Sequence, residues 1–317
     1  MKKILILSFS GGGIRGYLSA KVVEDLQQRV PFLDRVDMFA GTSTGAIIAA
    51  FLASGLRKGS EQIVDLYRLE GPRIFKTTLL QNIKSVFGYY SARYNPDCLE
   101  KVLKAMFGGM CLGDLKRPIL IPAQDLGGTG RPYQAKYFDN FKGNSTDLDI
   151  KVVDVLLASA AAPSYFYSHT IEFKPPFGKR EFMDGGLPCN HPSVSAVAAA
   201  CDYNGFDADM KDIYCLHIAT GFYPTHALGW KKRGAIGLIR PVIDMATEQY
   251  STVNFQADKI LKGGRYCCVG ATFREEIEMD DPEAIGKIDR HWPNVAGQML
   301  LAEKYLTEFM KGPANDV

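Results

Sequence analysis

Val36 to Gly55, VDMFAGTSTGAIIAAFLASG, reads as a short buried strand, a tight turn carrying Ser43, and an apolar helix. The turn Gly41-Thr42-Ser43-Thr44-Gly45 matches G-x-S-x-G. In that pattern the serine stands at the point of a strained strand-to-helix bend, and the elbow glycines Gly41 and Gly45 let neighbouring backbone approach where a Cβ would clash. Met38-Phe39-Ala40 can end the strand, Ala46 to Ala53 is almost wholly apolar, and Gly55 is placed to stop the helix. A plainer reading of the same residues is a Ser/Thr turn that caps a core helix.

Upstream, Ile4-Leu5-Ile6-Leu7 has the character of a strand buried on both faces of a parallel sheet. It runs into Ser10-Gly11-Gly12-Gly13-Ile14-Arg15-Gly16, followed by a helical pattern through Leu18, Val22, Val23 and Leu26. Gly11, Gly13 and Gly16 satisfy the dinucleotide fingerprint G-x-G-x-x-G. Alternatively, Gly11, Gly12 and Gly13 turn backbone N–H groups inward as an oxyanion hole, with Arg15 adding charge or bracing the loop. A dinucleotide site expects an acid at the end of the second strand, but Asp37 lies at that strand's start and the GTSTG turn occupies the expected place. Two glycine turns at the ends of adjacent strands instead set a nucleophile beside an anion hole, the pairing that acyl transfer requires.

Further along, Ile63, Leu66 and Leu69 suggest a helix, and Asn95-Pro96 opens another through Leu99, Val102, Leu103 and Met106. Gly71 to Tyr94 is basic and aromatic with no acid, so it suits an anionic lipid surface, a lid, or a solvated loop with its rings tucked in. Pro118 to Ala123 and Tyr133 to Phe138 are strand candidates about a glycine hairpin, and Val152 to Ala162 is a helix closed by Pro163. Glu181-Phe182-Met183 leads into Asp184-Gly185-Gly186, which places a carboxylate at a strand mouth or, more plainly, makes a turn. A strand in Lys211 to Ala219, an apolar pattern from Ala235 to Leu261, a strand at Tyr266 to Val269 and a helix from Val295 to Met310 complete the chain. Trp230-Lys231-Lys232-Arg233 reads as a membrane-touching corner or a solvated turn.

With 317 residues, no repeat and no linker, the chain is expected to form one domain, with a motif-bearing core over 4–200 and further strands and helices over 201–317. A formal net charge of +2 argues against a nucleic-acid polymer as partner. Seven cysteines without a C-x-x-C pair suggest reduced thiols and a cytoplasmic setting, peripheral to membranes at most. Cys189 and His191 alone do not make a metal site, so neither metal nor cofactor is expected. Met1-Lys2-Lys3 and the following apolar run imitate a signal peptide but pass at once into a glycine loop, and no run approaches the ~20 apolar residues of a membrane span.

Taken together, SGGGIRG, GTSTG and the DGG at Asp184, in that order, resemble the patatin-like phospholipase family, as does ASAAAPSYF over Ala158 to Phe166. The resemblance runs from Ile4 to about Ala200 and touches Met279 to Ala302. It implies a three-layer α/β/α fold with a mostly parallel sheet, lipid acyl hydrolysis, and a Ser-Asp dyad without histidine. Ser43 would then be the nucleophile, Asp184 the base, and Gly11, Gly12, Gly13 and Arg15 the oxyanion loop. The implied partner is a membrane phospholipid or lysophospholipid, with a regulatory nucleotide or protein activator left open. The chain departs from the family at Ser10, where an Asp is usual. Two rivals stand beside this reading: a dinucleotide-binding protein, and a Ser-His-Asp esterase in which His191 or His217 completes the order Ser, Asp, His.

Overall fold

In the computed structural model, which describes residues 3–56, 61–75, 94–144, 146–202, 205–223 and 249–311, the aliphatic run at the start of the chain becomes strand β1, Ile4–Phe9, buried along its whole length. Its alternation serves two layers: Leu5, Leu7 and Phe9 join one apolar core, and Ile4 and Ile6 another. A strand with two buried faces belongs inside a sheet. β1 accordingly pairs in parallel with β2, Met38–Gly41, on one side and with β7, Ile213–Ile218, on the other.

Among the described residues the sheet has eight strands. Beyond β2 comes β3, Ile119–Asp125, and beyond β7 comes β8, Tyr266–Val269, both parallel to their neighbours. Three antiparallel strands finish the far end: β4, Gln134–Asp139, on β3, and the hairpin of β5, His169–Phe173, with β6, Gly178–Met183. Leu120 pairs with both Ala40 and Asp139, and Gln124 with both Ala135 and Met183. β2 and β6 therefore share the edge of β3 opposite β4, one at each end, and diverge between. Pro122 sits in that fork, where no ladder asks for the N–H it lacks.

Helices cover both faces. On the Leu5 side lie α1 (Gly16–Arg29), α2 (Thr44–Ser54), α3 (Glu61–Ile74), α4 (Asp97–Phe107), α5 (Val152–Ser159), α9 (Ala284–His291) and α10 (Ala296–Met310). A short turn of helix, α6 (Gly186–Cys189), follows the 184–186 turn. α7 (Ser193–Cys201) and the end of α8 (Tyr250–Ile260) cover the Ile4 side. The three-layer α/β/α architecture with a mostly parallel sheet is thus the one expected. Two details differ from the sequence reading. Leu69 projects into solvent, 65% exposed, and the buried stripe of α3 runs through Ile63, Val64 and Tyr67. The β5 strand and helix α9 carry their apolar residues too sparsely to stand out. The basic corner 230–233 and residues 76–93 of the basic aromatic segment lie outside the described residues. Its flanking rings, Phe75 and Tyr94, pack edge to face against each other and at a tilt against Phe166.

Candidate active site

Phe9 and Gly41 are register partners at the ends of β1 and β2, so the glycine loop and the GTSTG turn leave the sheet side by side. The bend after β2 is tight enough that a Cβ on Gly41 would meet the Gly45 carbonyl oxygen at 2.1 Å, and one on Gly45 would meet the Phe9 carbonyl oxygen at 2.6 Å. Helix α2 can start against β1 only if both positions are glycine. Ser43 sits at the N-cap of α2 with φ 53° and ψ −121°, a backbone conformation costly for any residue with a Cβ. Its side chain makes no capping bond; the hydroxyl faces Asp184 instead and lowers that carboxyl's proton affinity. That removes the plainer helix-cap reading.

Asp184 leaves the end of β6 at the β3 fork. The residue is 7% exposed, and its carboxylate accepts the Gly186 N–H at 2.6 Å and has the Ser43 hydroxyl beside it. Burial raises its pKa to about 6, against the opposing pull of those two donors. A carboxylate so placed is ionised at pH 7 yet far more basic than an ordinary aspartate.

The glycine loop closes over Ser43. A Cβ on Gly11 would lie 3.2 Å from Ser43 Cβ and 2.4 Å from Asn190 Oδ1. Gly13 has φ 58°, and a side chain there would strike the Met279 carbonyl at 2.3 Å. The Gly11 N–H donates to Asn190, at 3.1 Å to Oδ1 and 3.3 Å to the carbonyl. Among the described residues, no acceptor takes the N–H of Gly12 or Gly13. Arg15 braces the loop from within, its Nε donating to the Gly12 carbonyl at 3.4 Å. Ser10, at the family's usual Asp position, bonds His217 Nε2 at 2.8 Å.

Neither candidate histidine reaches the pair. His217 is held between Ser10 and Ser8 (Nδ1 to Oγ, 3.1 Å), and His191 by Asn254 (Nε2 to Oδ1, 3.2 Å). The two rings stack with centroids 3.5 Å apart, and burial keeps both neutral, His191 down to about 4 and His217 well below its usual value. Cys268 lies close to one nitrogen of each ring. A metal ion is poorly served there, because face-to-face rings point their in-plane lone pairs in parallel and both His217 nitrogens are already hydrogen-bonded. At the far end of β2, Asp37 Oδ2 accepts the Leu5 N–H at 2.9 Å, out of reach of any ligand at the glycine loop.

From Ser43 an apolar cleft runs between α2, α3, α4 and the segment after α5. Ile47, Leu66, Leu99, Val102, Leu103 and Phe166 line it. Two site residues escaped the sequence reading. Tyr67 bonds the Thr44 hydroxyl beside Ser43, and the Gly16 position is bare because a Cβ would meet that Tyr67 hydroxyl at 2.4 Å. Ser159 accepts the N–H of Ser43. The only sequence signal for Ser159 was its place in the ASAAAPSYF block.

A family model for the patatin-like phospholipase matches residues 7–197. A cGAMP-activated phospholipase of Pseudomonas aeruginosa is 31% identical over 242 residues, covering 74% of this chain and 66% of that one. One of Escherichia coli is 30% identical over 234 residues, covering 69% and 62%. The chain thus spans less than two thirds of the length of these relatives. Among solved structures, VipD from Legionella pneumophila aligns over 91% of this chain and 67% of its own, at 14% identity and a TM-score of 0.43. With the family model spanning more than half its length, the chain belongs to the patatin-like phospholipase family.

Proposed function

We propose that this member of the patatin-like phospholipase family hydrolyses the carboxylic esters of membrane glycerolipids, using Ser43 as nucleophile and Asp184 as its base. The observation that carries the reading is the Ser43 hydroxyl, turned away from its helix and facing a buried carboxylate at the mouth of an apolar cleft. Asp184 takes the hydroxyl proton as Ser43 Oγ bonds to the ester carbonyl carbon. The carbonyl oxygen, now an anion, meets the N–H groups of Gly12 and Gly13, each such donor being worth about 10²- to 10³-fold in rate. Gly11 is held by Asn190 and supports the loop, as does Arg15. The C–O bond to the glycerol breaks, and the departing oxygen takes the proton from Asp184. Water then attacks the acyl-enzyme, giving its proton to Asp184, and Ser43 leaves protonated with release of the fatty acid.

The cleft suits the acyl chain, since each buried methylene contributes roughly 0.8 kcal/mol. Incubating wild type and Ser43→Ala with mixed phospholipid vesicles and analysing the freed fatty acids by mass tests the proposal. Equal release from both sinks it.

A nucleotide-responsive form of this activity is a second reading, favoured by the two relatives named as cGAMP-activated phospholipases. Adding cGAMP to the same assay decides it, because a response would raise wild-type release and leave Ser43→Ala silent.

A further inference from the structure

Ser159 ends helix α5 with its side chain fully buried, yet it neither caps that helix nor bonds back to it. Its hydroxyl has one proton, which goes to the Pro122 carbonyl in the β3 fork at 2.7 Å. A lone pair is therefore left for the Ser43 N–H, which it accepts at 3.0 Å. Its own carbonyl accepts the Gly185 N–H at 3.0 Å, and two residues on, the Ala161 carbonyl accepts the Asp184 N–H at 3.0 Å. One buried residue thus joins the backbone of Ser43, the backbone beside Asp184, and the strand that both lean upon.

The Thr42–Ser43 peptide is gripped at both ends: Gly45 N–H bonds the Thr42 carbonyl at 2.8 Å, and Ser159 takes the Ser43 N–H. A strained φ persists only where its surroundings over-determine it. Without Ser159 Oγ, the Ser43 N–H would be left without its buried acceptor, and the peptide would be free to tilt. From these contacts we infer that Ser159 is a positioning residue for ester cleavage, holding the backbone of Ser43 and the turn at Asp184 in fixed relation. The inference rests on the proposed roles of Ser43 and Asp184. A displacement of about 1 Å at such a pair costs on the order of 10²-fold in rate.

The test compares wild type, Ser159→Ala, Ser159→Thr and Ser43→Ala on a soluble short-chain ester, with rates normalised to folded protein by near-ultraviolet circular dichroism. Ser159→Ala is expected to lower kcat about 10²-fold with KM within threefold of wild type. It also moves the acid limb of the pH profile upward, because the Ser43 hydroxyl that lowers the proton affinity of Asp184 has drifted off. Ser159→Thr, which keeps the hydroxyl, recovers at least a tenth of the wild-type rate. A Ser159→Ala enzyme with kcat within threefold of wild type, or one that is slower with its acid limb unmoved, overturns the inference. Should that variant not fold, Ser159→Cys is put through the same profile against the same two criteria. Turnover surviving in Ser43→Ala would instead overturn the proposed nucleophile, so the two failures are distinguishable.

Discussion

The hydroxyl of Ser43 faces the carboxylate of Asp184 and lowers its proton affinity, although the two residues follow strands that never pair with each other. β2 and β6 each occupy one end of the same edge of β3, and the pair forms where they diverge. A sheet that splits its strands in this way can hold a carboxylate dry beside a strained serine. The same dryness sets the pH behaviour of the site.

Activity should fall on the acid side with an apparent pKa near 6, the value to which burial lifts Asp184. A limb at that pH looks like histidine, but His191 and His217 are pushed lower and remain neutral there. His169, half-buried, bonds Asp154 rather than Asp184 (Nε2 to Oδ1, 3.1 Å). The kcat/KM profile of His169→Gln should keep the limb in place, and Asp184→Asn should lose at least 10³-fold across the range. A limb that follows the His169 substitution would remove Asp184 from the base role.

Asp184 should also weaken the fold at neutral pH. Its folded pKa, about 6, lies above the ordinary 3.8, so the folded state holds the proton more tightly than the unfolded chain does. Stability is therefore fully present below about pH 4 and is lost as pH rises through 6, by on the order of 3 kcal/mol. Asp184→Asn removes this dependence while keeping an acceptor for Gly186. Its advantage over wild type in urea unfolding should be about 3 kcal/mol larger at pH 7.5 than at pH 4. An advantage equal at both pH values would show that the carboxylate is not strained by burial.

Ser43→Gly should unfold at higher urea than Ser43→Ala, by on the order of 1 kcal/mol, although both lack the hydroxyl and should be inactive. Alanine retains the Cβ that makes φ 53° costly, whereas glycine adopts it freely. Glycine's larger unfolded-state entropy offsets part of the gain. Indistinguishable midpoints would mean that the elbow stores no backbone strain.

The elbow and glycine loop were legible in the sequence because their chemistry is local. Gly41 answers to backbone crowding four residues on and Gly13 to a left-handed φ, Gly45 alone answering to the neighbouring strand at Phe9, and the apolar runs of β1 and β2 announce strands buried on both faces. Asp184 by itself reads equally as a strand-mouth carboxylate or a plain turn, and only the family resemblance made it the base, since its burial comes from the fork in β3. Ser159 and Ser43 are 116 residues apart, and no periodicity encodes that contact. The apolar cleft has no such local signature in the sequence. Which faces of α3 and α4 line it was settled by packing, as the outward Leu69 shows.

That cleft gives the last prediction. Val102 lines it from α4 and is only half-buried, so a larger side chain there can enter the empty space before it strains the core. Val102→Trp should exclude the far part of a long acyl chain while leaving the mouth at Ser43 untouched. Losing three or four methylene contacts, at about 0.8 kcal/mol each, corresponds to roughly 10²-fold in kcat/KM. The variant should therefore fall by about that factor on a long-chain ester and stay within threefold of wild type on an acetyl or butyryl ester. An equal loss on both would mean damage to the elbow. No loss on either would mean that the acyl chain lies elsewhere, and the cleft would then have to be reassigned.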